Sequence, residues 1–314
     1  MKAVVLSGHG GIETLKLADI PVPEIKPDEV LIEVKAIAIN PADTLVRANH
    51  SLDWIFNGET NKILGWDVSG VVIKTGSAVD LFTEGDDVFG TINHPGHGRA
   101  YAEFVAAPAS HLALKPINIT HETAAAATLA ALTSLQPMQK VGVHKGDRVL
   151  ITAAGGGVGH FAVQLAKYFG AYVIALASGA KRDFVLSLGA DEFVDYKTQK
   201  FEDVIQNVDV AVEGVKSDGH ILRTLHTVKR GGTLISLWSQ ITPEEADTAA
   251  KLGVHAFYNA IQSSGTDMQL IAELLSSGVL RPHISEVYTL KDISLAHAAI
   301  EKNNTQGKII VKIN

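Results

Sequence analysis

The first 118 residues carry their apolar positions in short runs. These runs are rich in β-branched residues and are separated by glycine, proline and aspartate, which is typical of β-strands joined by turns. The runs are MKAVVL, EVLIEVKAIAI, VSGVVIKTG, DDVFGTI and AYAEFVAAP. The pattern therefore predicts a β-rich segment at the start of the chain.

A different pattern begins near residue 121. The stretch HETAAAATLAALTSLQPMQKV predicts a helix, and DRVLITAAGGG follows as an apolar strand that ends in glycines. Helices and apolar strands then alternate: FAVQLAKYFG, KRDFVLSLG and HILRTLHTVKRGG as helices, and AYVIALA, EFVDY, NVDVAVEGV and TLISLWS as strands. Apolar strands separated by helices indicate a parallel sheet covered on both faces. Right-handed crossovers then predict a doubly wound, Rossmann-type α/β domain.

The last part of the chain returns to short elements. After VHAFYNAIQ and the helix DMQLIAELLSSG come the strand HISEVYTL, the helix DISLAHAAIEKNN and the strand GKIIVKI. Because no further helical units follow, we expect this final strand pair to return to the first, β-rich domain.

Composition narrows the function classes. The 314 residues suggest about two domains at roughly 150 residues each. Lys and Arg number 27 against 34 Asp and Glu, a net charge of −7, so we expect no nucleic-acid partner. The chain has no cysteine, which excludes disulfides, Cys-ligated zinc and a thiol nucleophile.

Membrane and metal partners are not expected either. No segment reaches the ~20 apolar residues that span a bilayer, and the N-terminal stretch alternates like a strand, so a soluble cytoplasmic protein is the default. None of the 13 His residues forms an HExxH pair. His94 and His97 come closest to a cluster, and we interpret their segment as a solvated loop.

The strongest motif is ITAAGGGVGHFAVQLAK at 151–167. A strand precedes its glycines and a helix follows them, the context in which a backbone turn approaches a pyrophosphate at a helix N-terminus. Gly156 and Gly159 occupy the second and third glycine positions of GxGxxG, and Ala154 occupies the first. The predicted dinucleotide loop comprises Ala154, Gly155, Gly156, Gly157, Val158 and Gly159.

The residues after the second strand of this unit indicate whether NADH or NADPH binds. A carboxylate about 20 residues after the glycines would bind a ribose 2′-hydroxyl, but no acid occurs before Asp183. Ser178, Lys181 and Arg182 stand there instead, and hydroxyl and cationic side chains favour a 2′-phosphate. The sequence therefore favours NADPH over NADH.

Six motifs occur in the order of a known family: AINPAD, ILGWDVSGVV, AAGGGVG, LGADEFVDY, KRGGTLIS and TQGKIIVKI. With them the chain resembles the medium-chain dehydrogenase/reductase superfamily, in its zinc-free quinone oxidoreductase branch, and is most similar to members that reduce alkenals, enones and quinones. The resemblance implies a GroES-like substrate domain from residues 1–119, with 280–314 returning to it. A Rossmann nucleotide-binding domain would occupy 120–279.

The resemblance also implies that zinc is absent. Zinc members carry Cys and His where this chain has Asn40 and Trp66, and Glu where it has Asp67. The four-Cys structural zinc lobe is missing as well. We therefore expect no metal site.

Further site residues follow from the resemblance alone. Lys181 and Tyr196, with Ser178 beside them, correspond to 2′-phosphate contacts, and Asn40 would sit beside the nicotinamide ribose and the substrate. The remaining cofactor positions implied are Thr133, Gly214, Val215, Leu237, Trp238 and Ser239. A homodimer is implied through VHAFYNAI, the expected edge strand.

Substrate contacts are less tightly defined. Asn40 is the first candidate donor to the substrate oxygen, against the alternative of a turn-forming Asn before a proline, and Tyr101 is a second candidate. Trp54, Phe56, Trp66 and Trp238 wall an apolar pocket or pack in the core. Arg99 and Ala100, in GHGRAYAEF, and the segment QPMQKV depart from the family's usual residues and alter the active-site mouth.

The function expected is a zinc-independent oxidoreductase that transfers hydride from NADPH to a small apolar electrophile, a quinone or an α,β-unsaturated carbonyl. Two alternatives stay open: an enoyl-thioester reductase, and a redox-sensing protein that binds NADPH without efficient turnover.

Overall fold

The computed structural model describes residues 1–313 and divides the chain into two compact units. One comprises Met1–Leu132 together with the chain from Gln262 onward, and the other comprises Thr133–Ile261. The first unit therefore extends beyond residue 119 and resumes before residue 280, because the helices in both border regions pack on its strands.

The first unit is built mainly from strands. Its N-terminal part contains β1 (Lys2–Leu6), β2 (Leu15–Asp19), β3 (Glu29–Ile39), α1 (Pro41–Ala48), β4 (Asp67–Thr75), β5 (Asp87–Thr91), β6 (Phe104–Pro108), β7 (Leu112–Leu114) and α2 (His121–Ala126). Strands β3, β4, β5 and β7 pair antiparallel in that order, and β6 pairs with β3. The β-rich, GroES-like half of the predicted fold is confirmed.

Helix α3 (Leu129–Val141) leads into the second unit. That unit contains β8 (Arg148–Ile151), α4 (Gly159–Tyr168), β9 (Tyr172–Ala177), α5 (Arg182–Ser187), β10 (Glu192–Asp195), α6 (Phe201–Val204), β11 (Val208–Glu213), α7 (His220–Leu225), β12 (Val228–Ser236), α8 (Pro243–Leu252) and β13 (His255–Tyr258). The strand order is β10-β9-β8-β11-β12-β13 with all pairs parallel, which confirms the doubly wound sheet. Strand β13 lies at one edge.

The end of the chain rejoins the first unit through α9 (Gly265–Ser276), β14 (Ile284–Thr289), α10 (Ile293–Ile300) and β15 (Lys308–Lys312). Strand β15 pairs antiparallel with β3, with Ile309 opposite Ile39, and parallel with β14. The terminal strands thus return to the β-rich sheet, as the tail pattern predicts, and bring Lys308 beside Asn40 at the start of α1.

Several predicted elements differ in their bounds. The helix predicted over HILRTLHTVKRGG, for example, ends at Leu225, and the residues from Val228 onward form a strand. The helix predicted over 121–141 is two helices, because the carboxylate of Asp67 accepts the N–H of Leu129 at 2.8 Å and starts α3 afresh. The strand predicted at TLISLWS begins earlier, at Val228, because Val228 already pairs with Val208.

None of the helices within residues 1–313 is both long enough and apolar enough to cross a membrane.

Candidate functional site

The glycine loop joins β8 to α4 through a tight turn in which Gly159 has no room for a side chain. A Cβ at Gly159 would lie 2.2 Å from the carbonyl oxygen of Ala153 and 2.7 Å from the Cα of Ala154, closer than real atoms approach. Ala153 itself has φ +49°, a left-handed conformation that costs a non-glycine residue free energy. The tight turn places the N-terminus of α4 close after the end of β8, the arrangement in which helix N-termini bind phosphate groups.

Most of the sequence-predicted cofactor residues lie at one edge of the parallel sheet. The loop follows β8, Ser178 and Lys181 follow β9, and Tyr196 follows β10. The remaining positions follow β11 and β12: Gly214, Val215, Leu237, Trp238 and Ser239. Carboxyl ends of parallel strands share one edge, which is where nucleotides bind in this architecture.

Lys181 lies over the glycine loop. Its Cδ would be 2.6 Å from a Cβ placed on Gly155, and its Nζ is 3.4 Å from the Gly155 carbonyl oxygen. Partial burial lowers the pKa of the ammonium. Arg182, by contrast, directs its guanidinium over the Phe193 ring at 5.4 Å, and Tyr196 is exposed. Lys181 is therefore the cation that the fold places at the loop.

Asp195 is a neighbour of this region that the sequence did not reveal. Its Oδ2 would be 2.5 Å from a Cβ on Gly179, and its Oδ1 accepts the N–H of Lys197 at 2.9 Å. The carboxylate thus reaches the end of β9 from β10. No signal along β9 could have shown it, because it arrives from the neighbouring strand.

Thr133 lies beside the loop through its helix. The hydroxyl of the next residue, Ser134, donates to the carbonyl oxygen of Val158 at 3.1 Å, which fixes this part of α3 against the turn.

A buried glutamate fixes the segment after β11. Glu213 accepts hydrogen bonds from the hydroxyl of Thr152 at 2.9 Å and the N–H of Val215 at 2.8 Å, and its Oε2 lies 2.9 Å from Nδ1 of His220. The N–H of Gly214 in turn donates to the Thr152 hydroxyl at 2.8 Å. These bonds set the backbone of two predicted cofactor positions.

In the first unit, Asn40 is buried and its amide is held at both ends. Its Oδ1 accepts from Nζ of Lys308 at 2.5 Å, and its Nδ2 donates to Asp67 Oδ2 at 2.7 Å. The backbone N–H of Asn40 donates to Asp43 at 2.7 Å. Asn40 is also the N-cap residue of α1, where it forms a capping box with Asp43.

Lys308 contributes a cation to the interior of this unit. Its side chain is 3% exposed, and its Nζ donates to the carbonyl oxygen of Ile39 at 3.1 Å and lies 3.7 Å from Asp67 Oδ2. Burial lowers the pKa of this ammonium, whereas Asp67 and Asp43 oppose that shift. Nothing in the local sequence GKIIVKI marks this role, because β15 meets β3 only in the folded sheet.

Tyr101 belongs to a buried chain of hydrogen bonds. Its hydroxyl lies 3.0 Å from Nε2 of His297, whose Nδ1 lies 3.1 Å from the Arg47 guanidinium. Because a guanidinium only donates, Nδ1 must accept, and His297 carries its proton on Nε2 and donates it to Tyr101. Burial, reinforced by Arg47, lowers the pKa of His297 to about 3, which keeps the ring neutral. Tyr101 is fully buried.

The buried carboxyl of Asp43 interacts with both the Asn40 cluster and Tyr101. Burial raises its pKa to about 7, the Asn40 N–H opposes the shift, and the nearby charge of Asp67 adds to it. Its Oδ1 has no hydrogen-bond partner within the described residues, although Tyr101 is close enough to affect the pKa. This carboxyl therefore changes charge near neutral pH.

The predicted pocket aromatics separate by exposure. Trp54 is 61% exposed, whereas Phe56 and Trp66 are buried, and the Trp66 indole N–H donates to the carbonyl oxygen of Gly96 at 2.7 Å. For Phe56 and Trp66 this burial agrees with the core-packing alternative. The solvated loop expected at His97 is wrong, because His97 is buried against Ile63 and burial lowers its pKa to about 4.

The residues at the family's zinc positions have other partners. The Trp66 indole offers no lone pair, and the Asn40 amide and Asp67 are engaged by the Lys308 ammonium. Elsewhere His9, His50 and Asp53 lie close enough to share an ion. Asp53, however, already pairs with Lys62 at 2.7 Å and with His9 at 2.8 Å.

Comparison with known proteins gives consistent matches along the chain. Residues 26–117 match the family described as "Alcohol dehydrogenase GroES-like domain", and residues 188–311 match the one described as "Zinc-binding dehydrogenase".

Individual proteins match over nearly the whole length. The chain is 33% identical to the "NADPH-dependent alkenal/one oxidoreductase, chloroplastic" of Arabidopsis thaliana, over 99% of this chain and 79% of the relative. The structure of a quinone oxidoreductase from Coxiella burnetii superimposes with a TM-score of 0.93 at 32% identity, covering 100% of this chain and 99% of the other. An Escherichia coli quinone oxidoreductase complexed with NADPH gives 0.88 at 26% identity, covering 99% and 100%.

Proposed function

The chain belongs to the quinone oxidoreductase-like branch of the medium-chain dehydrogenase/reductase superfamily, and on that premise we propose that it is an NADPH-dependent oxidoreductase that reduces quinones or α,β-unsaturated carbonyls. The observation that carries the proposal is the tight glycine turn at the carboxyl edge of a parallel sheet, with Lys181 laid over Gly155. The full-length relatives named for alkenal/one and quinone reduction support the acceptor class.

The second unit provides the cofactor contacts in this proposal. The N-terminus of α4 and the glycine turn hold the pyrophosphate, and Lys181, with Ser178 and Tyr196, holds the 2′-phosphate. Thr133 and the residues after β12 hold the nicotinamide end, and Gly214 and Val215, after β11, lie at the adenosine ribose. When bound, NADPH supplies the hydride.

Asn40 provides a donor to the substrate oxygen. As hydride adds to the β-carbon of an enone, the electron pair of the C=C bond shifts toward the carbonyl oxygen, which gains negative charge. One N–H of the Asn40 amide donates to Asp67, and the second N–H is the one proposed to stabilise this oxygen. A proton from solvent completes the reduction.

Zinc has no part in this function. The donor set at Asn40, Trp66 and Asp67 does not suit the ion, and Lys308 supplies the positive charge among these residues. Dialysis against a chelator should therefore leave NADPH oxidation unchanged, whereas a loss restored by added Zn²⁺ would contradict zinc independence.

A homodimer through strand β13 is also proposed. Its position at the sheet edge leaves a row of backbone groups that the same strand of a second copy could pair with. Light scattering should give twice the 33.4 kDa chain mass, and a monomer mass would refute the dimer.

The proposed function is tested by following NADPH oxidation at 340 nm against 1,4-benzoquinone, 9,10-phenanthrenequinone, acrolein, an alkyl vinyl ketone and crotonyl-CoA. Turnover of the quinones, or of the alkenals and enones, supports the proposal, and the relative rates show which of these two acceptor classes the protein prefers. A preference for crotonyl-CoA would favour an enoyl-thioester reductase. NADPH binding with every acceptor inert would favour a redox-sensing protein.

A further inference from the structure

The side-chain amide of Asn40 is fixed by a hydrogen bond at each end. Lys308 contacts its oxygen and Asp67 contacts its nitrogen, and both partners are buried. An amide rotated by half a turn would place its NH₂ group against the Lys308 ammonium and its oxygen against the Asp67 carboxylate. Both contacts would be repulsive, so only one orientation is compatible with the cluster.

We propose that Lys308 is a positioning residue for the reaction, which holds Asn40 in the donor orientation and strengthens the remaining Nδ2–H as a hydrogen-bond donor. The inference rests on the proposed function, in which that N–H meets the developing negative charge on the substrate oxygen. It assigns a reaction role to a residue at the far end of the chain.

The surroundings of Lys308 fit an ammonium rather than a neutral amine. Its Nζ faces three oxygen atoms, from Ile39, Asn40 and Asp67, and an ammonium has three N–H donors and no acceptor. With Asp67 as its nearest carboxylate, this cation is matched in charge within the interior.

A cation on Asn40 Oδ1 changes the amide as a donor. Drawing electron density toward the carbonyl oxygen makes the amide N–H more acidic, and hydrogen bonds in a chain polarise one another in this way. The interior position preserves the effect because little solvent screens the charge. Lys308 thereby acts on the substrate through Asn40 without touching it.

A double-mutant cycle on the full-length protein tests this role. Asn40→Ala should lower kcat for an alkyl vinyl ketone about 100-fold, as removal of an oxyanion donor does elsewhere. Lys308→Met should lower kcat about tenfold with little change in the KM for NADPH. In the double variant, Lys308→Met should cost nothing beyond the loss from Asn40→Ala. Full multiplication of the two losses, or an unchanged kcat in Lys308→Met, would overturn the proposal.

A matched control lies on the same strand. Lys312→Met removes an exposed lysine of β15 that pairs with Glu122 at 2.6 Å, and it should leave kcat unchanged. A similar loss in both lysine variants would show that disturbance of β15, and not the Asn40 contact, lowers the rate, and would also overturn the proposal.

A second measurement is independent of turnover and of the folding of Lys308→Met. In protein labelled with ¹⁵N-asparagine, the side-chain amide signals that disappear in Asn40→Ala identify Asn40. Lys308→Met removes the contact to Asn40 Oδ1 and should therefore shift those signals. If that variant does not fold, Lys308→Arg lengthens the contact and should shift them as well. Unchanged signals would refute the contact. A wild-type protein inert toward every acceptor but with these shifts would instead refute the proposed function.

Discussion

The buried carboxyl of Asp43 makes the stability of the protein depend on pH in an unusual direction. Its pKa rises from 3.8 to about 7 on folding, chiefly through burial. Between these values the folded state binds more protons than the unfolded state, so the free energy of unfolding falls as pH rises. This rise in pKa, roughly 3 pH units, lowers the free energy of unfolding by at most about 4 kcal/mol at a pH above both values.

Asp43→Asn removes this titration while keeping a side-chain oxygen for the Asn40 N–H. The free energy of unfolding of the wild type, less that of the variant, should fall by up to about 4 kcal/mol between pH 4 and pH 8. Urea unfolding followed by tryptophan fluorescence, to which the buried Trp66 contributes, measures this difference at each pH. Subtracting the variant cancels the titration of groups that do not interact with Asp43.

The control for this series is Asp247→Asn on α8, where the carboxylate is exposed. Its difference from wild type should be flat across the same range. A flat difference for Asp43→Asn as well, or one that rises with pH, would refute the account of a buried carboxyl whose charge is disfavoured.

Three further predictions concern the nucleotide edge. Lys181→Ala should raise the KM for NADPH at least tenfold and leave that for NADH little changed, and equal losses would contradict the 2′-phosphate contact. Asp195→Asn removes a carboxylate beside Gly179 and should lower the KM for NADPH relative to NADH, with an unchanged ratio contradicting the idea. Gly159→Ala should weaken NADPH binding by one to two orders of magnitude, because the added Cβ would lie 2.2 Å from the Ala153 carbonyl oxygen and the turn must open. Calorimetry measures the Kd, and an unchanged value would contradict this reasoning.

The nucleotide edge could be predicted from the sequence because its signals are local. Ala154 to Gly159 lie between a strand and a helix, and the rule that strand ends share an edge places Ser178, Gly214 and Trp238 with them. The position of Asp195 could not be predicted in this way, because its approach to Gly179 depends on how β9 and β10 pair.

The buried cluster of the first unit could not be predicted in the same way. Asn40 was identified by family motif, but its partner Lys308 lies 268 positions away along the chain and meets it only through the β3–β15 pairing. Tyr101 and His297 are likewise brought together by packing, 196 positions apart. Such contacts follow from the register of distant strands, which the local pattern of hydrophobic positions does not encode.

Direct hydride transfer from NADPH to an electrophilic carbon can be followed with deuterium. The protein would be incubated with an alkyl vinyl ketone and NADPH carrying deuterium at C4, in each of its two stereochemical forms. We expect mass spectrometry and NMR to find one deuterium at the β-carbon of the saturated ketone from one of the two forms, and none from the other. Saturated product with no deuterium from either form, or no product at all, would contradict it.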